Sequence, residues 1–171
     1  MDFSKAFQGF SEATPDGQLP KINAPHMDGI YEFEVISSEG FHPKDQNEDS
    51  YSFKAEVMLL SATTNKIPVG QKASIIIHGL VGGKDYVKAK HWGNLKAFLA
   101  AAMGSLTGSD VSPLDQSQDW LGLVQMACEV DDTLQGARVR LQVNTEKAGK
   151  EKDGKEFAKM NFEPIFVKAA A

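Results

Sequence analysis

The sequence predicts a mainly β domain of the α+β class: five antiparallel strands closed into a small barrel, with a helical insert between strands three and four. Three observations predict it. Alternation of apolar and polar residues with period two returns in five separate segments. A stretch of helical period falls between the third and fourth of them. The length of 171 residues, 42% hydrophobic and 24% charged, suits one soluble globular domain that builds a core without staples.

Residues 1–28 stand apart as an N-terminal arm. Phe3, Phe7 and Phe10 recur at helical spacing, so Asp2 to Phe10 fits a short amphipathic helix. Pro15, Gly17, Pro20 and Pro25 then break regular structure. Such an arm packs on its own domain or docks on a partner, and its own domain is the favoured surface.

The domain proper is expected over residues 29–168. In Ile30 to Ile36, Tyr31, Phe33 and Val35 share one side and Glu32 and Glu34 the other, a half-buried strand. Ser37 to Asp49 reads as a long polar loop. Ser50 to Leu60 alternates again, with Tyr51, Phe53, Ala55, Val57 and Leu59 inward. Lys72 to Leu80 is a third strand, β-branched at Ile75, Ile76 and Ile77. The period then lengthens. Asn94 stands where an N-cap belongs and Gly104 where a C-terminal glycine belongs, bracketing a helix over Leu95 to Met103. A second helix fits Gln118 to Glu129, which places Cys128 on its apolar stripe. Val139, Leu141 and Val143 alternate with Arg138, Arg140 and Gln142, and Glu156 to Ile165 returns as the last strand beyond a charged tip.

Three strands, a helical insert and a closing hairpin make the element order of the OB fold, whose loops flank a groove for single strands. The competing arrangement is another antiparallel α+β sheet with helices packed on one face. Gly29-Ile30-Tyr31-Glu32-Phe33-Glu34-Val35, Gly93-Asn94-Leu95-Lys96-Ala97-Phe98-Leu99, Gly136-Ala137-Arg138-Val139-Arg140-Leu141-Gln142-Val143 and Lys159-Met160-Asn161-Phe162-Glu163-Pro164 add a resemblance. Over about Gly29 to Pro164 the chain resembles phage-encoded OB-fold single-stranded-DNA-binding and replication or recombination accessory proteins. The resemblance implies a non-catalytic role. The chain ends Ile165-Phe166-Val167-Lys168-Ala169-Ala170-Ala171 rather than in an acidic tail, so recruitment through such a tail is not supported.

Charge is distributed in blocks. The net charge of −5 argues against a polyanion binder, but residues 61–110 carry 6 basic against 2 acidic side chains, and residues 136–171 carry 8 against 5. Residues 1–60 carry 4 against 11 and residues 111–135 none against 5. A local patch, not the total, binds phosphate.

Enzymatic signatures are missing. Gly79-Leu80-Val81-Gly82-Gly83-Lys84-Asp85 has one residue too few for a Walker loop, and Asp85 replaces the magnesium-binding hydroxyl. His26, His42, His78 and His91 lie far apart and a single cysteine accompanies them, so no metal or other cofactor is expected. No serine sits in a nucleophile-elbow context.

What remains is a surface of cations and aromatic faces, which is what single-strand binding requires. The expected nucleic-acid-binding residues are Lys54, Lys72 and His78 on strands two and three. Lys84, Tyr86 and Lys88 join them from the connection after strand three. Arg138, Arg140, Lys147, Lys150, Lys152, Lys155, Phe157 and Lys159 belong to the hairpin. Arg138, Arg140, Phe157 and Lys159 are expected to form one patch, with Phe157 the stacking ring. The expected partners are single-stranded DNA and phage replication or recombination proteins; a homo-oligomer stays open. The alternative function is a phage protein-interaction module using the acidic N-terminal half and the Phe3/Phe7/Phe10 stripe. Met1-Asp2-Phe3-Ser4-Lys5 does not open a secretory signal, and no apolar run spans a bilayer, so the expected location is the cytoplasm, that of a host cell if phage-encoded.

Overall fold

The structure is a computed structural model that describes residues 1–15, 18–19, 29–44, 50–63, 68–82, 84–144 and 158–166. The arm forms α1 (Phe3–Ala6) and a 3-10 turn (Phe10–Glu12), followed by the two-residue strand β1 (Gln18–Leu19). Three long strands follow: β2 (Gly29–Phe41), β3 (Tyr51–Ala62) and β4 (Lys72–Val81). Helices α2 (Asp85–Thr107) and α3 (Trp120–Glu129) separate them from β5 (Arg138–Asn144) and β6 (Ala158–Pro164). The chain is thus α+β and mostly β, with the helices inserted between the third and fourth long strands as the sequence predicts. The sheet is antiparallel throughout, in the order β1-β6-β5-β2-β3-β4.

The sheet is open, a departure from the expected closed barrel. Among the described residues β4 pairs only with β3, and β6 gives its second edge to β1 through Gln18↔Lys159 and Leu19↔Ala158. The physical reason lies in α2. Its 23 residues make a rod about 35 Å long. It packs against β4 at one end of the sheet and against β5 and β6 at the other, so the helix, and not a strand pairing, connects the two sides.

α2 also begins ten residues earlier than the sequence suggests. Lys84, not Asn94, is its N-cap, and Gly108 at φ +70°, not Gly104, ends it, donating its N–H to the Gly104 carbonyl. Asn94 and Gly104 are buried inside the helix. Gly93 and Gly104 serve close approach instead. A side chain at Gly93 would strike the Thr14 carbonyl, and one at Gly104 would lie 3.0 Å from the Ser109 carbonyl. α3 starts two residues later than expected, with Asp119 Oδ1 accepting from Gly122 N–H at 2.9 Å.

β2 continues through residues expected to be loop, as far as Phe41. A bulge between Val35 and Ser37 shifts its alternation, so Ser38 turns inward opposite Ala55. Ser38 is a buried hydroxyl that donates to the Ala127 carbonyl at 2.8 Å, satisfying a carbonyl near the end of α3.

One core lies between the inner sheet face and the helices, joining Phe33, Phe53, Ile77, Leu95, Phe98, Trp120 and Val139. Phe3, Phe7 and Phe10 belong to it. The arm therefore packs on its own domain, and the reading of the Phe3/Phe7/Phe10 stripe as a partner surface is overturned.

Cys128 is buried on α3, and burial pushes its thiol up to about 12, the Tyr51 hydroxyl beside it working the other way. Native protein at pH 8 should therefore react with a thiol reagent orders of magnitude more slowly than unfolded chain. Labelling at comparable rates in the two states would show that α3 does not pack as described.

Candidate nucleic-acid interface

The face of the sheet turned from the helices carries the candidate site. Period two delivers Glu32 and Glu34 of β2, Lys54 and Glu56 of β3, Lys72 and Ser74 of β4, and Arg138 and Arg140 of β5 to this face. The expectation that Arg138 and Arg140 share one side holds. Their surroundings differ from the expected free cationic patch.

Each guanidinium stands opposite a carboxylate in the sheet register: Glu34↔Arg138, Glu32↔Arg140 and Arg140↔Glu163. Arg138 Nε donates to Glu34 Oε2 at 3.0 Å. Arg140 donates to Glu32 Oε1 through Nη2 at 2.8 Å and Nε at 3.1 Å, and its Nη1 lies 3.9 Å from Glu163 Oε2. The Arg140 hydrogen bond, helped by the Ser61 hydroxyl, holds the Glu32 carboxyl below its usual range. Lys54 is also paired, 3.0 Å from Glu56 and 3.4 Å from Glu39, and hydrogen bonding to Glu56 raises its pKa.

At the far end of β3 and β4 the face becomes aromatic. Ser52 Oγ lies 3.3 Å from His78 Nδ1, and the Phe41 and His78 rings stand 6.5 Å apart, edge to face. Phe41 pairs with Ser52 in the register, and Glu39 with Lys54, which puts an aromatic ring, an imidazole and an ammonium along one strip. Sequence reasoning missed Phe41 because it sits in a stretch read as loop. The alternation Glu39, Phe41 resuming beyond a bulge was the available signal.

Lys84, Tyr86 and Lys88 lie at the start of α2 and not in a connection. Tyr86 is 66% exposed. Lys88 sits 3.4 Å from Asp85 and 4.9 Å above the Trp92 ring. Trp92 itself is buried and donates from Nε1 to the Leu80 carbonyl at 2.8 Å, so it ties β4 to α2 and offers no face to a base. Lys72 is exposed beside Met58 at the opposite end of β4. Lys159 occupies the β6 register position opposite Asn144. Lys147, Lys150, Lys152, Lys155 and Phe157 lie outside the described residues, so the patch of Arg138, Arg140, Phe157 and Lys159 is described only in part.

No protein-family model and no curated protein matches the chain. No helix among the described residues is long and apolar enough to cross a membrane.

Proposed function

We propose that the chain is a non-catalytic single-stranded-DNA-binding protein of phage replication or recombination, built on an OB-like sheet left open along one seam. The strand order carries this reading. An OB barrel cut between its third and fifth strands unrolls to five, four, one, two, three, and β6-β5-β2-β3-β4 is that order. The helical insert also falls where that fold has it, between the third and fourth strands.

In OB folds the outer face of strands two and three receives the oligonucleotide. The equivalent strands here are β3 and β4, which present Lys54, Lys72 and His78, with Phe41 beside them on β2. Phe41 and His78 would stack bases, the lysines would meet phosphates, and Lys84, Tyr86 and Lys88 would extend the track onto α2. Binding of this type tolerates any sequence, because every base has a π-face.

The test is a titration of labelled oligothymidylate and of duplex of equal length at two salt concentrations. The single strand is expected to bind more tightly, and affinity to fall as salt rises, by about 0.7 in log–log slope for each phosphate neutralised. Phe41→Ala should weaken binding by about 1–3 kcal/mol with little change in that slope. Equal affinity for duplex, or no binding at low salt, overturns the proposal.

A further inference from the structure

We infer that Glu32, Glu34 and Glu163 act as an internal competitor for phosphate, occupying Arg138 and Arg140 until a nucleic-acid strand displaces them. The inference rests on the single-strand-binding reading and adds a control of that site. Its ground is geometric. Residues two apart on a strand are separated by about 6.8 Å, so Arg138 and Arg140 present two guanidinium groups at a spacing close to that of successive phosphates in an extended strand. Each is already taken by an oxyanion: Glu34 at 3.0 Å from Arg138, and Glu32 at 2.8 Å from Arg140.

A carboxylate and a phosphate present similar acceptor oxygens to the guanidinium fork, so the two compete for the same donors. Register explains why the carboxylates win in the free protein. Glu32↔Arg140 and Glu34↔Arg138 are directly paired across β2 and β5, and Glu163 reaches Arg140 from the other side on β6. The carboxylates are therefore held in place by the sheet, at no cost in chain ordering.

The pairs are nevertheless breakable. The Arg138 and Arg140 side chains are 42% and 44% exposed, and Glu34 and Glu32 are 38% and 31% exposed. Ion pairs this open to water are weak and screened by salt. A polyanion that delivers several phosphates at once displaces them, whereas a lone anion does not. The device thus favours a strand long enough to contact both arginines over free mononucleotides or inorganic phosphate.

The experiment titrates labelled oligothymidylate at low and moderate salt against the wild type, Glu32→Gln, Glu34→Gln and the double variant. Glutamine keeps the shape and removes the charge. Each single variant should tighten binding about threefold and the double about tenfold. The double variant's salt slope should steepen by about 0.7 for each guanidinium freed. A change in overall charge alone would mimic part of this effect, so two controls accompany it. Asp110→Asn, at an exposed carboxylate in a loop rather than on a strand, should change affinity less than twofold. In an Arg138→Gln/Arg140→Gln background the gain from removing the glutamates should vanish.

Unchanged or weaker binding by the glutamine variants, or a gain that survives loss of the arginines, overturns the competitor. If the wild type binds oligothymidylate and the variants bind no better, only this inference falls. If neither the wild type nor the double variant binds at low salt, the single-strand-binding reading falls with it. Melting temperatures of all variants establish that each is folded, and the single variants carry the same test at lower amplitude.

Discussion

Phe7→Ala is expected to remove about 3–5 kcal/mol of folding stability, as large aromatic truncations in a filled core do. Phe7 is 1% exposed although it lies only seven residues from the chain's start. Its ring stacks on Phe3 at 4.4 Å and on Trp92 at 5.8 Å, and meets Phe10 and Tyr51 edge-on at 5.8 and 6.3 Å. Those neighbours come from the arm, from α2 and from β3, so the ring joins three elements distant in sequence. For a chain of this length each kcal/mol moves Tm by about 2–4 °C, so a fall of roughly 6–20 °C is expected by calorimetry. Tyr86→Ala, at a 66% exposed position, should stay within about 0.5 kcal/mol of the wild type. A Phe7→Ala protein that melts with the wild type would mean that the arm is an appendage and not part of the core.

The fold was legible wherever one side of an element is buried without interruption. Tyr31, Phe33 and Val35, the run from Tyr51 to Leu59, and Val139, Leu141 and Val143 announce strands because they alternate with charged residues on the other face, Glu32, Glu34, Lys54, Glu56, Arg138 and Arg140, none of them buried. Legibility failed where tertiary contact decides the residue type. Asn94 and Gly104 look like helix ends, yet they lie inside α2 with Gly93. Gly93 is there because the arm at Thr14 comes too close for a side chain, and Gly104 sits where the segment around Ser109 and Pro164 would have to give way to one. Ser38 and Gly40 look like loop, yet both sit on the inner face of β2. Ser38 bonds a carbonyl near the end of α3, and Gly40 leaves room for the Tyr51 ring.

The same division runs through the site. That Arg138 and Arg140 share a face follows from period two alone. That each meets a glutamate depends on the register between β2 and β5, and strands more than 100 residues apart do not reveal their register locally. Closure of the sheet was illegible for a related reason. It depends on where α2 lies, and the helix's true length was hidden by its internal glycines.

Lys96→Ala is the other substitution with a large expected effect, about 3–4 kcal/mol. Lys96 is fully buried on α2, in a place where a lysine is rare. Its Nζ donates to the carbonyls of Ser11 and Ala13, the latter at 3.2 Å, and lies 5.1 Å above the Trp120 ring. One turn earlier, Gly93 makes room for the Thr14 carbonyl, so the two residues together hold the end of the arm against the helix. Alanine would take the ammonium donor from both carbonyls, leaving Ser11 only the 3.4 Å bond from Gln116 Nε2, and would open a cavity where three methylenes and the ammonium had been. Lys96→Met keeps most of the volume and lifts the cost of a buried charge, so it should lose clearly less. The pH dependence separates charge from packing. Burial lowers the pKa of Lys96, against a smaller opposing pull from Glu12. Between that lowered value and the ordinary lysine value of 10.5 the unfolded chain binds more protons than the native one, so this residue makes stability rise with pH across the window. Cys128 and Tyr51, both raised chiefly by burial, act in the opposite sense, because the unfolded chain releases their protons first. Denaturant unfolding of the wild type and of Lys96→Met from pH 8 to 10.5 isolates the lysine, since the contributions of Cys128 and Tyr51 cancel in the difference. That difference should shift toward the wild type as pH rises; a flat difference would mean that Lys96 is not held in a desolvated site.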